Sequence, residues 1–147
     1  MTQEISIQKN TFTMHPSGGM LWHEKRMLLI ADVHLGKVSH FRKHGSAVPL
    51  RAVAANFDQL TRVADYYQAQ SICFLGDLFH SSLNTEWKLF EKWVQSRDET
   101  LILIAGNHDI ISPVKYEKLD IDIYSEFQSN GFLLTHHPED REGFFNF

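Results

Sequence analysis

Apolar and polar positions alternate at the start of the chain, where Ile5 and Ile7, then Phe12 and Met14, sit among polar neighbours. A period of two marks half-buried strands. Pro16-Ser17-Gly18-Gly19 supplies the turn chemistry that follows them. Leu21-Trp22-His23 and Met27-Leu28-Leu29-Ile30-Ala31 flank Glu24-Lys25-Arg26, which predicts a hairpin. Three further runs, Ile72-Cys73-Phe74-Leu75, Leu101-Ile102-Leu103-Ile104-Ala105 and Phe132-Leu133-Leu134, are nearly continuous, as in strands covered on both faces. Helical periodicity fills two of the intervals. Pro49 suits the first turn of a helix running to about Ala69, along which Leu50, Val53, Phe57, Leu60, Val63 or Ala64, and Tyr67 recur every three or four residues. A second helix is expected from about Thr85 to Arg97, with Trp87, Phe90, Trp93 and Val94 on one face and Asn84 or Thr85 as its cap. Strand, helix, strand, helix, strand predicts an α/β fold with parallel crossovers.

Composition narrows the class without naming a chemistry. The 147 residues are 43% hydrophobic and 22% charged, which suits one folded domain, taken here as 1–147. Neither an internal repeat nor a low-complexity linker divides the chain. No apolar run approaches the roughly 18 residues that span a bilayer. The polar start, Met1 to Asn10 with Glu4, does not read as a secretory signal. A lone cysteine, Cys73, suits a reducing cytoplasm, and its place in an apolar run marks it as a small buried hydrophobe. A net charge of −4 excludes a globally basic nucleic-acid footprint and leaves a local one open. Nine histidines are the first sign of chemistry.

That chemistry is placed by the strands. Four apolar runs each lead into a polar cluster: Asp32-Val33-His34, Gly76-Asp77, Gly106-Asn107-His108-Asp109 and Thr135-His136-His137. Residues i and i+2 of an extended segment share a side, so Asp32 and His34 can grip one cation. Gly106 allows a sharp turn, Asn107 offers a carbonyl ligand and His108 a proton. Singly, Asp-x-His reads more readily as a polar strand end before a helix cap, Gly-Asp is weaker still as a signal, and Gly-Asn-His-Asp is more specific, with an Asx turn as its plainer reading. Sites in open α/β sheets form outside the carboxyl ends of the strands, and four such clusters imply one shared pocket for metal.

These motifs resemble those of the calcineurin-like metallophosphoesterases: Asp-x-His, Gly-Asp, Gly-Asn-His-Asp/Glu, and a His after a later strand. The resemblance runs from about Met27 to Phe147. Ala31-Asp32-Val33-His34-Leu35-Gly36-Lys37, Phe41-Arg42, Gly45, Pro49 and Thr135-His136-His137-Pro138 are similar to the ligase-associated DNA damage response phosphoesterases. The family ends on Gly-His-x-His, which this sequence lacks, so the domain is expected to be C-terminally truncated and incomplete there. The resemblance implies a metallophosphoesterase-like βαβαβ sheet sandwich with helices outside. It assigns Asp32 and His34 to one divalent metal, Asp77 to both, and Asn107 and His136 to the second. His108 would stabilise the phosphoryl group or protonate the leaving oxygen, oriented by Asp109. Two metals would activate a bridging hydroxide for in-line attack on phosphorus. Oxygen and nitrogen donors without thiolate suit Mn²⁺, Fe or Zn²⁺, with Mn²⁺ expected.

The substrate reading rests on residues 35–57, which hold Lys37, Arg42, Lys43 and Arg51 and no Asp or Glu. Lys37, Arg42 and Lys43 are the candidate substrate contacts, and Phe41 can stack on a base. The same stretch also reads as a solvated loop. The expected activity is a metal-dependent phosphodiesterase or nuclease acting on DNA in repair. Ligase and helicase repair proteins are partners by resemblance alone, and no membrane is involved. Two other readings stay open: a nucleotide or lipid-linked pyrophosphatase of the same superfamily, and a non-catalytic scaffold.

Overall fold

The computed structural model describes residues 3–16, 19–31, 51–75, 85–105, 113–129, 131–135 and 142–146. The first hairpin is β1 (Gln3–Ile7) and β2 (Asn10–Met14), paired antiparallel with Ile7 opposite Asn10. Next come β3 (Met20–Trp22), a 3-10 turn (His23–Lys25) and β4 (Met27–Ile30). Helix α1 (Arg51–Tyr67) leads to β5 (Ser71–Phe74), and α2 (Thr85–Gln95) to β6 (Thr100–Ile104). The short α3 (Pro113–Glu117) precedes β7 (Ile121–Tyr124), and β8 (Phe127–Ser129), β9 (Phe132–Leu134) and β10 (Phe145–Asn146) follow.

Strands β1 to β7 form one sheet in chain order, antiparallel as far as β4 and parallel from β4 to β7. A second sheet, in the order β10-β9-β8, pairs β9 parallel to β10 and antiparallel to β8. This corrects one expectation. Phe132–Leu134 is not a fourth strand of the parallel set; that place belongs to β7. Ile121-Asp122-Ile123-Tyr124 alternates in the way an edge strand should, with Ile121 buried and Tyr124 exposed.

Period-two alternation sorts the central strands between two cores. Leu28 and Ile30, Ile72 and Phe74, and Leu101 and Leu103 pack with Phe57, Leu60, Phe90 and Trp93 of the helices. Met27 and Leu29, Cys73, and Ile102 and Ile104 face the other way and pack with Phe132 and Leu134. The molecule is thus layered as helices, seven-stranded sheet and three-stranded sheet, which is the expected sandwich with helices outside. Phe12, Trp22 and Phe132 join the two sheets. Phe132 lies edge-on to Phe12 and to Trp22, with 5.2 Å between centroids in each pair. The indole of Trp22 donates to Asn10 Oδ1 at 3.0 Å, so its one polar atom is satisfied in the core.

The helices follow the sequence expectation and stop two residues short at their C-terminal ends, at Tyr67 and Gln95. Phe57, Leu60, Val63 and Ala64 are buried on α1. Trp93 of α2 donates to Thr61 Oγ1 at 2.8 Å and fixes the two helices against each other. Gln68 ends α1 in the left-handed region (φ 49°), where glycine is the usual residue. Among the described residues no helix is long and apolar enough to cross a membrane.

Candidate active site

The parallel strands approach their carboxyl ends in register. Ile30 pairs with Phe74, and Phe74 with Leu103, so one row of the ladder crosses β4, β5 and β6. The last bonds of the ladder lie one residue further on. Leu75 N–H donates to the Ile30 carbonyl at 2.8 Å, and Ala105 N–H to the Tyr124 carbonyl at 2.9 Å. Ile30, Phe74 and Ile104 are buried, whereas Ala31 and Ala105 are exposed and Leu75 is half-buried. Each strand therefore passes from core to surface within a residue. The next residues in the sequence are Asp32, Gly76 and Gly106, the first members of three of the polar clusters.

The candidate donors and catalytic groups themselves, Asp32, His34, Asp77, Asn107, His108, Asp109 and His136, lie outside the described residues, as do Lys37, Arg42 and Lys43. The structure describes the footing of these residues. Among the described residues no three His, Cys, Asp or Glu side chains group to hold a metal.

The fourth cluster follows β9, which stands in the second sheet. Phe132 and Leu134 sit in the same core as Leu29, Cys73 and Ile104, so β9 is packed against the strands that carry the other clusters. The Asn146 amide donates to the Leu133 carbonyl at 2.8 Å and to Thr135 Oγ1 at 2.7 Å. Thr135 is buried and immediately precedes His136. Asn146 thus ties β10 to the end of β9, a contact that sequence reasoning passed over. Its signal is a lone amide between Phe145 and Phe147.

Two other groups bear on the donor set. Burial pushes the Cys73 thiol up to about 12, which keeps it neutral and removes it as a thiolate ligand. His23 Nε2 is hydrogen-bonded to Thr13 Oγ1 at 2.6 Å, on the antiparallel side of the sheet.

Comparison with known proteins follows the same outline. No curated protein matches the chain. Among solved structures it is similar to the crystal structure of Pseudomonas putida nuclease MPE, with a TM-score of 0.84 and 24% identity over 99% of this chain and 71% of that one. That likeness establishes the fold. The sequence matches the family described as Calcineurin-like phosphoesterase over residues 25–147, a span that begins just before β4 and takes in all four polar clusters. These are hydrolases that use divalent metals. With that match over more than half of its length, and with the four clusters following β4, β5, β6 and β9 in the sequence, the chain belongs to the calcineurin-like phosphoesterase family.

Proposed function

We propose that the protein hydrolyses phosphodiester bonds in DNA, with divalent metal ions held by Asp32, His34, Asp77, Asn107 and His136. One observation carries this reading: β4, β5 and β6 end in register, and a ligand-type cluster begins directly beyond each. Adjacent strands stand about 4.8 Å apart, so three strands span about 10 Å, a distance that side chains from successive loops can close.

The donor chemistry fits metal. Carboxylate, imidazole and amide oxygen are hard or borderline ligands, and the one thiol is buried and neutral. That set suits Mn²⁺, Fe or Zn²⁺, and Mn²⁺ is the ion of choice for assay. Two such cations supply Lewis acidity toward the phosphate and lower the pKa of water. Asp77, with two carboxylate oxygens, would serve both positions, Asp32 and His34 would hold one, and Asn107 and His136 the other. His108 gives its proton to the leaving oxygen, and Asp109 holds the imidazole in the tautomer that can do so. Lys37, Arg42 and Lys43 neutralise substrate phosphates.

Nucleic acid is favoured as substrate by that basic stretch and by the fold shared with a nuclease. A role in DNA repair, with ligase or helicase partners, follows from the resemblance of residues 31–49 to the ligase-associated group. A reduced, buried Cys73 suits the cytoplasm.

The test is cleavage of single-stranded DNA beside a dinucleotide pyrophosphate, with Mn²⁺ and with chelator. DNA cleavage that needs Mn²⁺ is expected. His108→Ala should lower kcat by about 10²–10⁴-fold, and the double change Arg42→Ala, Lys43→Ala should weaken DNA binding and flatten its salt dependence by about 1.4 in slope. Hydrolysis of the pyrophosphate alone would overturn the DNA reading.

A further inference from the structure

We propose that the grooves on either side of Tyr66, between α1 and the ends of β2 and β3, are a binding track for single-stranded nucleic acid. The inference rests on the phosphodiesterase reading for its substrate and on separate residues for its evidence.

The helices cover the sheet from β4 onward, and the antiparallel strands run on beyond α1. By alternation, Phe12 and Trp22 face the second sheet, while Thr13, His15, Leu21 and His23 face the side on which α1 lies. Two grooves open there, of about 300 and 380 Å³, and Tyr66 lines both. One groove runs along α1 past Arg62 and Gln59. The other runs past Tyr67 to Arg26, at the start of β4. Since α1 runs antiparallel to the strands it connects, the arm toward Gln59 leads to the edge where the candidate catalytic loops begin. From Tyr66 to Gln59 the helix rises about 10 Å.

The lining suits a strand of nucleotides. Tyr66 is 70% exposed, an unusual state for a large aromatic residue. Its ring has aromatic neighbours on one side: Tyr67 is 4.9 Å away at 82°, and His15 is 6.3 Å away. A fixed, exposed aromatic ring is a platform for a base, and every base has a face to offer it. Cations flank it on both arms. Neither Arg62 nor Arg26 makes an ion pair with a described residue, and Arg26 donates to the Gln68 carbonyl at 3.0 Å. Asp65 is paired with Arg97 at 2.7 Å, and Glu24 accepts the Thr11 N–H. An aromatic platform with a guanidinium on each side, neither in an ion pair with a described residue, is complementary to stacked bases on a polyanion.

The test is anisotropy of a labelled phosphorothioate single strand, which keeps its charge and resists hydrolysis, read beside hydrolysis of bis(p-nitrophenyl) phosphate. Tyr66→Ala should weaken binding by about 5- to 100-fold and Tyr66→Phe should restore it. The double change Arg26→Gln, Arg62→Gln should lower the salt slope by about 1.4. All should leave hydrolysis of the small diester unchanged, because none lies at the candidate catalytic edge. Variants that bind the strand with wild-type affinity and salt slope would overturn the track. A wild-type protein that binds the strand through Tyr66 yet never cleaves the small diester would uphold the track and sink the catalytic reading instead.

Discussion

Replacing Phe132 by alanine tests how the second sheet supports the candidate site. Phe132 is fully buried and meets Phe12 and Trp22 edge-on at 5.2 Å. A buried phenylalanine removes roughly 150–250 Å² from water, which at about 25 cal/mol per Å² sets an upper scale of about 4–6 kcal/mol. Core Phe→Ala substitutions cost about 3–5 kcal/mol. Two edge-to-face pairs, each adding about 0.5–1.5 kcal/mol, place the expected loss toward the top of that range, about 4–5 kcal/mol. Phe132→Leu, which keeps most of the volume, should cost about 1–1.5 kcal/mol. Equilibrium urea unfolding followed by tryptophan fluorescence measures both, since Trp22 is in direct contact. Because Thr135 and His136 follow β9 directly, the alanine variant should also lose diester hydrolysis before it loses its secondary structure. A loss under about 1 kcal/mol would refute the reasoning, since β9 would then not be packed on the main sheet.

Three smaller predictions follow from other elements. The Cys73 thiol is raised from 9.0 to about 12 by burial; the unfolded chain therefore releases that proton first, and stability, full below pH 9, should fall between pH 9 and 12 by about 1.4 kcal/mol per pH unit. Cys73→Ala should remove that component from the difference between unfolding at pH 8 and pH 10.5, and an unchanged difference would contradict it. Arg97 donates two bonds to Glu99 at 2.9 Å, and Glu99 is 12% exposed against 62% for Asp65. Arg97→Lys, which loses the fork, should therefore cost about 1–2 kcal/mol and Asp65→Asn less than about 0.5; the reverse order in thermal melts would be inconsistent with this. The β1–β2 turn places Gln8 and Lys9 at φ 48° and 67°, so Lys9→Gly should raise stability by about 0.5–1 kcal/mol, and a drop in melting temperature would argue against that turn.

The legibility of the fold differs from element to element. Strands β4, β5 and β6 were visible because burial on both faces leaves an unbroken apolar run. Helices α1 and α2 were visible because each has one buried face, so that Phe57, Leu60, Val63 and Ala64 fall three or four apart. Strand β7 and the five-residue α3 were missed: Ile121-Asp122-Ile123-Tyr124 carries only four alternating positions, and α3 is too short to show a period. Phe132–Leu134 was legible as a strand, whereas its membership of a second sheet was not, because three apolar residues look alike in either layer. The candidate site was legible as four polar clusters after apolar runs, and the register of Ile30, Phe74 and Leu103 aligns the three strands that lead into three of them. Asn146 escaped notice because its partners, Leu133 and Thr135, are brought to it by strand pairing rather than by sequence.

The most direct measurement is Mn²⁺ binding and bis(p-nitrophenyl) phosphate hydrolysis in one titration, for the wild type and for Asp77→Asn. Asp77 is the residue proposed to serve both cations. Binding and hydrolysis should rise together in the wild type. In the variant hydrolysis should fall at least about 10²-fold, with Mn²⁺ affinity weakened in parallel. Hydrolysis that persists in chelator, or that survives Asp77→Asn with Mn²⁺ binding intact, would contradict a metal site at the carboxyl ends of β4, β5 and β6.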